Sequence, residues 1–137
     1  PVCEEIYGSL CTEARSRTQL IVGNYTPGEM RTIIGKTEVL LACRFHAMVS
    51  ALASGVPVAV IGWSHKYREV QAQFGLDYCI DYRKADAESI SQIMNELIQR
   101  QDSIRKKILT ALPEVLESSA RNFDVLVAFV CDNKPQS

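Results

Sequence analysis

Two side chains that could hold and protonate an anion stand close together in the sequence, at Arg44 and His46. An arginine guanidinium can bind a phosphate or a carboxylate through two parallel hydrogen bonds. A histidine beside it can donate to the same anion, or act as a general acid or base near neutral pH. The alternative is that Arg44 pairs with an acidic side chain across a helix and that His46 caps a turn. The pair by itself favours neither interpretation.

Two further candidates, Trp63 and Lys66, follow a second apolar run. Lys66 could add another positive charge, although lysines on surface helices are mostly solvated. Trp63 could stack on a sugar or a base, but a single tryptophan after a strand is more often part of the packing. We expect no metal site, because His46 and His65 lack the spacing of zinc ligands. The Walker A, GxGxxG, HExxH and GxSxG patterns do not occur, which excludes several common enzyme classes.

The composition predicts one soluble domain. The chain has 137 residues, of which 47% are hydrophobic and 23% charged, and its formal net charge is −1. A chain of this size can bury a core without disulfides or metals, and this charge gives no attraction to nucleic acid. The five cysteines form no CxxC pair, so we predict that all are reduced, as in a cytoplasmic protein. Cys43 and Cys79 lie in apolar runs, where we expect their thiols to pack as small hydrophobes.

Short apolar runs alternate with helical patterns along the chain, which is typical of an α/β fold with a parallel sheet. We predict a Rossmann-like sheet with helices on both faces. Strands are expected at residues 38–43, 57–62 and 78–80, with a further strand at 19–22. Helices are expected at residues 6–17, 27–34, 45–54, 65–74, 86–103 and 104–129.

Some helix ends are marked by individual residues. Thr26 is expected to cap the second helix, and Gly55 to end the third. Asp86 is expected to be an N-cap without a capping box, because Ser89 replaces the usual Glu or Gln. Pro113 should bend the last helix, since proline removes a backbone donor.

The predicted sheet also places the candidate residues. In an open parallel sheet, ligands bind beyond the carboxyl ends of the strands. The loops after the three clearest strands carry residues 44–46, 62–66 and 81–84, which include several cationic and titratable groups. Arg44 and His46 should lie at the start of a helix, where free N–H groups suit an anion.

The order of these motifs is informative. The sequence Arg44-Phe45-His46-Ala47 is followed by Gly55-Val56-Pro57, then by Lys66 and by Phe74-Gly75-Leu76. From about Leu20 to Ile98, this series resembles the C-terminal domain of the polysaccharide pyruvyl transferases. Phe45 stands where the family more usually has leucine.

The resemblance implies the C-terminal half of a GT-B-type two-domain fold, with the site in the cleft between the domains. Residues 1–131 would form this donor-binding domain and residues 132–137 a tail, with the N-terminal domain missing and the fragment alone inactive. The parent would transfer a pyruvyl group from phosphoenolpyruvate to a hydroxyl of a sugar or lipid-linked saccharide, forming a ketal in exopolysaccharide synthesis. No cofactor is implied beyond phosphoenolpyruvate as substrate, and neither nucleic acid nor a transmembrane segment is expected.

The resemblance also implies roles for individual residues. Arg44 would neutralise the carboxylate or the phosphate of the donor. His46 would protonate the methylene carbon, assist the loss of phosphate, or only bind. Lys66 matches the lysine of the family by position, and Trp63 stands in a turn where acceptor specificity could differ.

Two other functions remain open at this point. One is a glycosyltransferase or epimerase of the same architecture that uses a nucleotide-sugar, with Asp77, Asp81 or Asp86 holding the ribose. The other is a non-catalytic domain of the same fold, in which Arg44 or His46 would be held in buried structural pairs.

Overall fold

A computed structural model of the chain describes residues 2–132, apart from the side chains of residues 125, 126 and 128–132. The thiol of Cys131 and almost all of the predicted tail therefore lie outside the described residues. The helices are α1 Val2–Ser9, α2 Thr12–Ser16, α3 Pro27–Gly35, α4 Phe45–Ala53, α5 Lys66–Gln73, α6 Ala87–Gln99 and α7 Gln101–Asp132. The strands are β1 Leu40–Ala42, β2 Val58–Gly62 and β3 Cys79–Asp81.

The three strands form a parallel sheet in the order β1-β2-β3. Val58, Ala59 and Val60 of the central strand are all fully buried. Successive residues of a strand point to opposite faces, so both faces of β2 are covered. Helix α4 contacts β1 and β2, and α6 contacts β2. The predicted α/β class with a parallel sheet is confirmed.

The segment before α3 differs from the prediction. The strand expected at residues 19–22 is wrong: the segment is irregular, and Ile21 and Val22 are 45% and 54% exposed. A strand needs a neighbour to satisfy its backbone groups, and within the described chain this segment pairs with none. The helix expected at residues 6–17 is interrupted at Leu10 and Cys11, which separate α1 from α2.

Side-chain caps fix the starts of two helices. Thr26 and Glu29 form a capping box at α3, which confirms Thr26 as its N-cap. The expectation that Asp86 lacks such a box is wrong. The backbone N–H of Ser89 donates to Asp86 Oδ1 at 2.7 Å, and the backbone N–H of Asp86 donates to Ser89 Oγ at 3.1 Å. A serine hydroxyl thus takes the place of the usual longer side chain.

The long helix α7 packs where α4 ends. Gly55 follows α4 with a φ of +71°, a left-handed conformation that confirms it as the helix stop. A β-carbon at Gly55 would lie 2.8 Å from Leu109 Cδ2 of α7, so the glycine also allows this close contact. Pro113 lies within α7, and the bend that we expect there stays a prediction.

One buried amide ties α5 to the sheet. Gln71 is fully buried, and its Nε2 donates to the carbonyl oxygen of Val58 at 3.0 Å. Its Oε1 accepts from the backbone N–H of Tyr78 at 2.6 Å. The amide therefore joins the start of β2 to the residue before β3 and fixes the position of α5 relative to both strands.

Candidate functional site

Residues that follow all three strands line one cavity of about 540 Å³. Cys43 comes after β1, Trp63 after β2, and Tyr82 and Arg83 after β3, while Ile61 belongs to β2 itself. The prediction that these loops meet at the carboxyl edge of the sheet is therefore confirmed. The thiol of Cys43 is exposed at this edge rather than packed as a small hydrophobe, because β1 ends at Ala42.

Arg44 occupies the N-cap position of α4, with extended backbone angles of −124° and 137°. Its carbonyl oxygen accepts from the N–H groups of Ala47 and Met48, but its side chain makes no capping bond. The guanidinium is exposed and, within the described residues, has no hydrogen bond or ion pair. The alternative in which Arg44 pairs across a helix is therefore wrong for the described part of the chain.

His46 lies in the first turn of α4 and is also exposed. Its ring meets the edge of Phe45, with 6.1 Å between the ring centroids. No hydrogen bond joins its imidazole to any described group, so it does not cap the turn. Both imidazole nitrogens are therefore available to a ligand.

Lys66 is brought beside this pair by a cation–π contact. Its Nζ lies 4.7 Å from the centroid of the Phe45 ring and 6.0 Å from that of Tyr67. Because Phe45 stands between Arg44 and His46, the contact places Lys66, the first residue of α5, next to the start of α4. The structure thus groups three of the four candidate residues.

Trp63 connects the loops through aromatic contacts. It is 61% exposed, and its ring meets Tyr67 edge-on at 5.7 Å. Tyr67 in turn meets Phe45 at 5.7 Å. Trp63 also lines a second cavity, of about 260 Å³, together with His65, Asp81 and other residues of the same edge.

Tyr67 contacts both Phe45 and Trp63, and the sequence does not predict this role. A β-carbon at Gly62 would lie 2.8 Å from Tyr67 Cδ2, so the glycine lets the ring pack against the end of β2. Tyr67 is buried, and its hydroxyl has no hydrogen-bond partner in the described chain. Burying an unsatisfied hydroxyl costs about 1–3 kcal/mol, which the packing of the ring must offset.

Asp81 and Arg83 form an ion pair at the same edge of the sheet, and Arg83 lines the larger cavity. The Arg83 side chain donates to Asp81 Oδ2 at 2.8 Å from Nη2 and to Oδ1 at 3.1 Å from Nε. These bonds, with one from the Arg83 backbone, lower the pKa of Asp81 to about 2. The sequence predicts that this loop lies at the sheet edge but assigns no role to Tyr82 or Arg83, because neither belongs to a recognised motif.

Among the described residues, no group of histidine, cysteine, aspartate and glutamate side chains could hold a metal ion. No helix in the same part of the chain combines the length and the apolar character that a membrane span requires.

Comparison with known proteins gives one match. Residues 3–65 match the family model described as polysaccharide pyruvyl transferase. This segment contains Arg44, His46 and Trp63 and ends one residue before Lys66. No curated protein and no solved structure matches the chain. The predicted resemblance to the polysaccharide pyruvyl transferases is therefore confirmed over residues 3–65.

Proposed function

We propose that residues 1–131 are the donor-binding domain of an enzyme that moves a pyruvyl group from phosphoenolpyruvate to a sugar as a ketal. The observation that carries this proposal is a pair of exposed side chains at the start of α4, Arg44 and His46, which have no hydrogen bond or ion pair within the described residues and lie within the family match. Phosphoenolpyruvate carries a carboxylate and a phosphate. The Arg44 guanidinium and the Lys66 ammonium supply matching positive charges.

The start of α4 adds neutral donors to this anion site. In the described chain, the backbone N–H groups of Phe45 and His46 have no backbone acceptor. A helix N-terminus also carries a partial positive charge, which favours a bound anion. Arg44 would hold one anionic group of the donor through its planar fork, and these N–H groups would orient it.

Ketal formation requires protons to move in a defined way. Two hydroxyl oxygens of the sugar bond to C2 of phosphoenolpyruvate, and the C2–O bond to phosphate breaks. The two hydroxyl groups lose two protons; one proton is added at the methylene carbon, which becomes a methyl group, and one leaves with the phosphate. His46 would act as the general acid at the methylene carbon or at the departing phosphate.

The nucleotide-sugar alternative needs a carboxylate for the ribose, and all three candidates already have partners. Asp77 pairs with Arg68 at 3.1 Å, and Asp81 pairs with Arg83. Asp86 caps α6. A ribose would have to displace one of these interactions, whereas an anionic donor at Arg44 displaces none that the structure describes.

The non-catalytic alternative is also disfavoured, since it expects Arg44 or His46 in buried pairs and both side chains are exposed. The proposal extends to the whole protein. We place the site in a cleft shared with a second domain of GT-B type, in a cytoplasmic enzyme of surface-polysaccharide synthesis.

The test is a titration of the ¹⁵N-labelled chain with phosphoenolpyruvate, with uridine diphosphate glucose as comparator. We expect amide shifts centred on residues 44–47 and on Lys66 with phosphoenolpyruvate. The shifts should be lost in Arg44→Ala and kept in Arg17→Ala, which removes only an exposed arginine paired with Glu13. Shifts with the nucleotide-sugar alone would favour the glycosyltransferase reading, and no shift with either ligand would contradict donor binding by this chain.

A further inference from the structure

The cavity at the carboxyl edge of the sheet has two aromatic walls. Trp63 is 61% exposed and Tyr82 is 56% exposed, and both line the space of about 540 Å³. This volume is in the range of small-molecule sites, about 300–1,000 Å³. Both side chains keep apolar surface in water that burial under a ligand would remove. Their exposure therefore favours an occupant with an apolar face of its own.

Among the described residues that line the cavity, the charged side chain is that of Arg83, and it is paired. The Arg83 guanidinium is held by the Asp81 carboxylate and lies 5.9 Å from the centroid of the Tyr82 ring. A guanidinium has five N–H donors, and the Nη2 and Nε bonds to Asp81 use two of them. The remaining donors are free to bind a ligand near the Tyr82 ring, and the charge of the guanidinium is balanced by Asp81.

This arrangement contrasts with the start of α4. Arg44 has no described acidic partner and suits an anion, whereas Arg83 is neutralised and suits an uncharged ligand that accepts hydrogen bonds. A pyranose ring has this chemistry, because its C–H face packs on aromatic rings and its hydroxyls pair with fixed polar groups. The two loops therefore select ligands of different charge.

The two places are neighbours through direct ring contacts. Trp63 meets Tyr67 and Tyr67 meets Phe45, each at 5.7 Å between centroids. Phe45 is covalently joined to both Arg44 and His46. A group transfer needs donor and acceptor in adjoining sites, and these contacts make the two places adjoin.

We propose that the space between Trp63 and Tyr82, the acceptor cavity, binds a pyranose ring of the saccharide that receives the pyruvyl group. The identity of that ligand as the acceptor rests on the proposed function. The assignment gives Trp63 and Tyr82 the role of stacking surfaces, and Arg83, positioned by Asp81, the role of hydroxyl recognition.

A direct test uses the fact that Trp63 is the only tryptophan of the chain. Its indole N–H gives a single resonance, to be followed while methyl β-glucopyranoside, methyl β-galactopyranoside and methyl α-mannopyranoside are added in turn. We expect at least one glycoside to shift it with saturation. Tyr82→Ala should weaken that binding about two- to tenfold, the range for loss of one aromatic contact. Tyr25→Ala, which removes an exposed tyrosine outside the cavity, should not.

A second readout uses Cys43, which lines the same cavity. The bound glycoside should slow alkylation of Cys43 by iodoacetamide and leave the exposed Cys3 and Cys11 unaffected. Absence of an indole shift with all three glycosides, or unchanged affinity in Tyr82→Ala, overturns the cavity assignment. A shift with uridine diphosphate alone would overturn it in favour of a nucleotide base.

The two proposals fail separately in these experiments. Glycoside binding at Trp63 without phosphoenolpyruvate binding at Arg44 would leave a saccharide site and contradict pyruvyl transfer. Phosphoenolpyruvate binding at Arg44 without glycoside binding would keep the donor site and place the acceptor elsewhere.

Discussion

The ammonium nitrogen of Lys66 lies 4.7 Å from the centre of the Phe45 ring, so a side chain that begins α5 is held against the residue that begins α4. A cation over an aromatic face gains about 0.5–1 kcal/mol at an exposed site. The contact therefore ties Lys66 to the Arg44–His46 pair although β2 separates them in sequence. Phe45 becomes a positioning residue for the third charged or titratable group of the site.

Phe45→Leu should weaken phosphoenolpyruvate binding about two- to fivefold, because leucine keeps the apolar contact with the core but offers Lys66 no ring face. Phe45→Tyr should bind as the parent does. Isothermal titration calorimetry of the two single variants and of the double variant with Lys66→Ala checks the mechanism. If Phe45→Leu weakens binding as much in the Lys66→Ala background as alone, the ring does not act through Lys66.

His46→Ala should lower kcat of the intact enzyme about 100-fold or more, since a general acid contributes at least that factor. The measurement is phosphate release from phosphoenolpyruvate in the presence of saccharide acceptor. His46→Gln keeps a hydrogen-bond donor without a titratable proton, so its KM should be close to that of the parent while its kcat stays low. Recovery of kcat in His46→Gln would assign His46 to binding alone.

The Asp81–Arg83 pair gives the fold an acid-sensitive element. The pKa of Asp81 lies at about 2, below its ordinary value of 3.8, because Arg83 donates hydrogen bonds to the charged carboxylate. A lowered folded-state pKa stabilises the fold above pH 3.8, and this contribution is lost as the pH falls toward 2. In Arg83→Ala, the carboxyl resonance of Asp81 should titrate nearer to 3.8. An unchanged midpoint would show that Arg83 does not hold the carboxylate in solution.

The cysteines should differ in reactivity. Burial raises the pKa of Cys79 to about 11, whereas Cys3, Cys11 and Cys43 are exposed. With that pKa, only about one Cys79 thiol in a thousand is ionised at pH 8, and the thiolate is the reactive form. Mass spectrometry after iodoacetamide treatment should find the three exposed cysteines modified well before Cys79. Modification of Cys79 at the rate of Cys43 would contradict its burial, and in urea the difference should disappear.

The sequence predicts the parts of the site that depend on strand order. Buried runs such as the one at Val58 alternate with helices, and parallel strands present their carboxyl ends at one edge. Strand order alone therefore predicts that Arg44, Lys66 and the loop at Tyr82 lie at the same edge of the sheet. The role of Gly55 is also predicted by the sequence, because the left-handed conformation that ends a helix favours glycine.

Other features depend on packing between residues that are far apart in sequence. The Lys66–Phe45 contact and the buried amide of Gln71 leave no periodic signal, since each requires the angle between two helices or between a helix and a strand. The apolar run at residues 19–22 shows the opposite error: its composition predicts a strand, but pairing decides strands and no described neighbour pairs with it. Asp86 and Ser89 form a capping box although serine is not the residue type usually found at its second position, so the sequence does not predict it.

The measurement that tests the account most directly is the affinity of Arg44→Ala for phosphoenolpyruvate, determined by isothermal titration calorimetry. Loss of a charge-assisted hydrogen-bonding side chain should weaken binding about 10- to 100-fold, from about 1.5–3 kcal/mol. The affinity of Arg44→Lys should lie between those of the parent and Arg44→Ala, because lysine keeps the charge without the planar fork. Arg17→Ala should bind as the parent does. Equal affinity of Arg44→Ala and the parent would contradict the donor site at the start of α4.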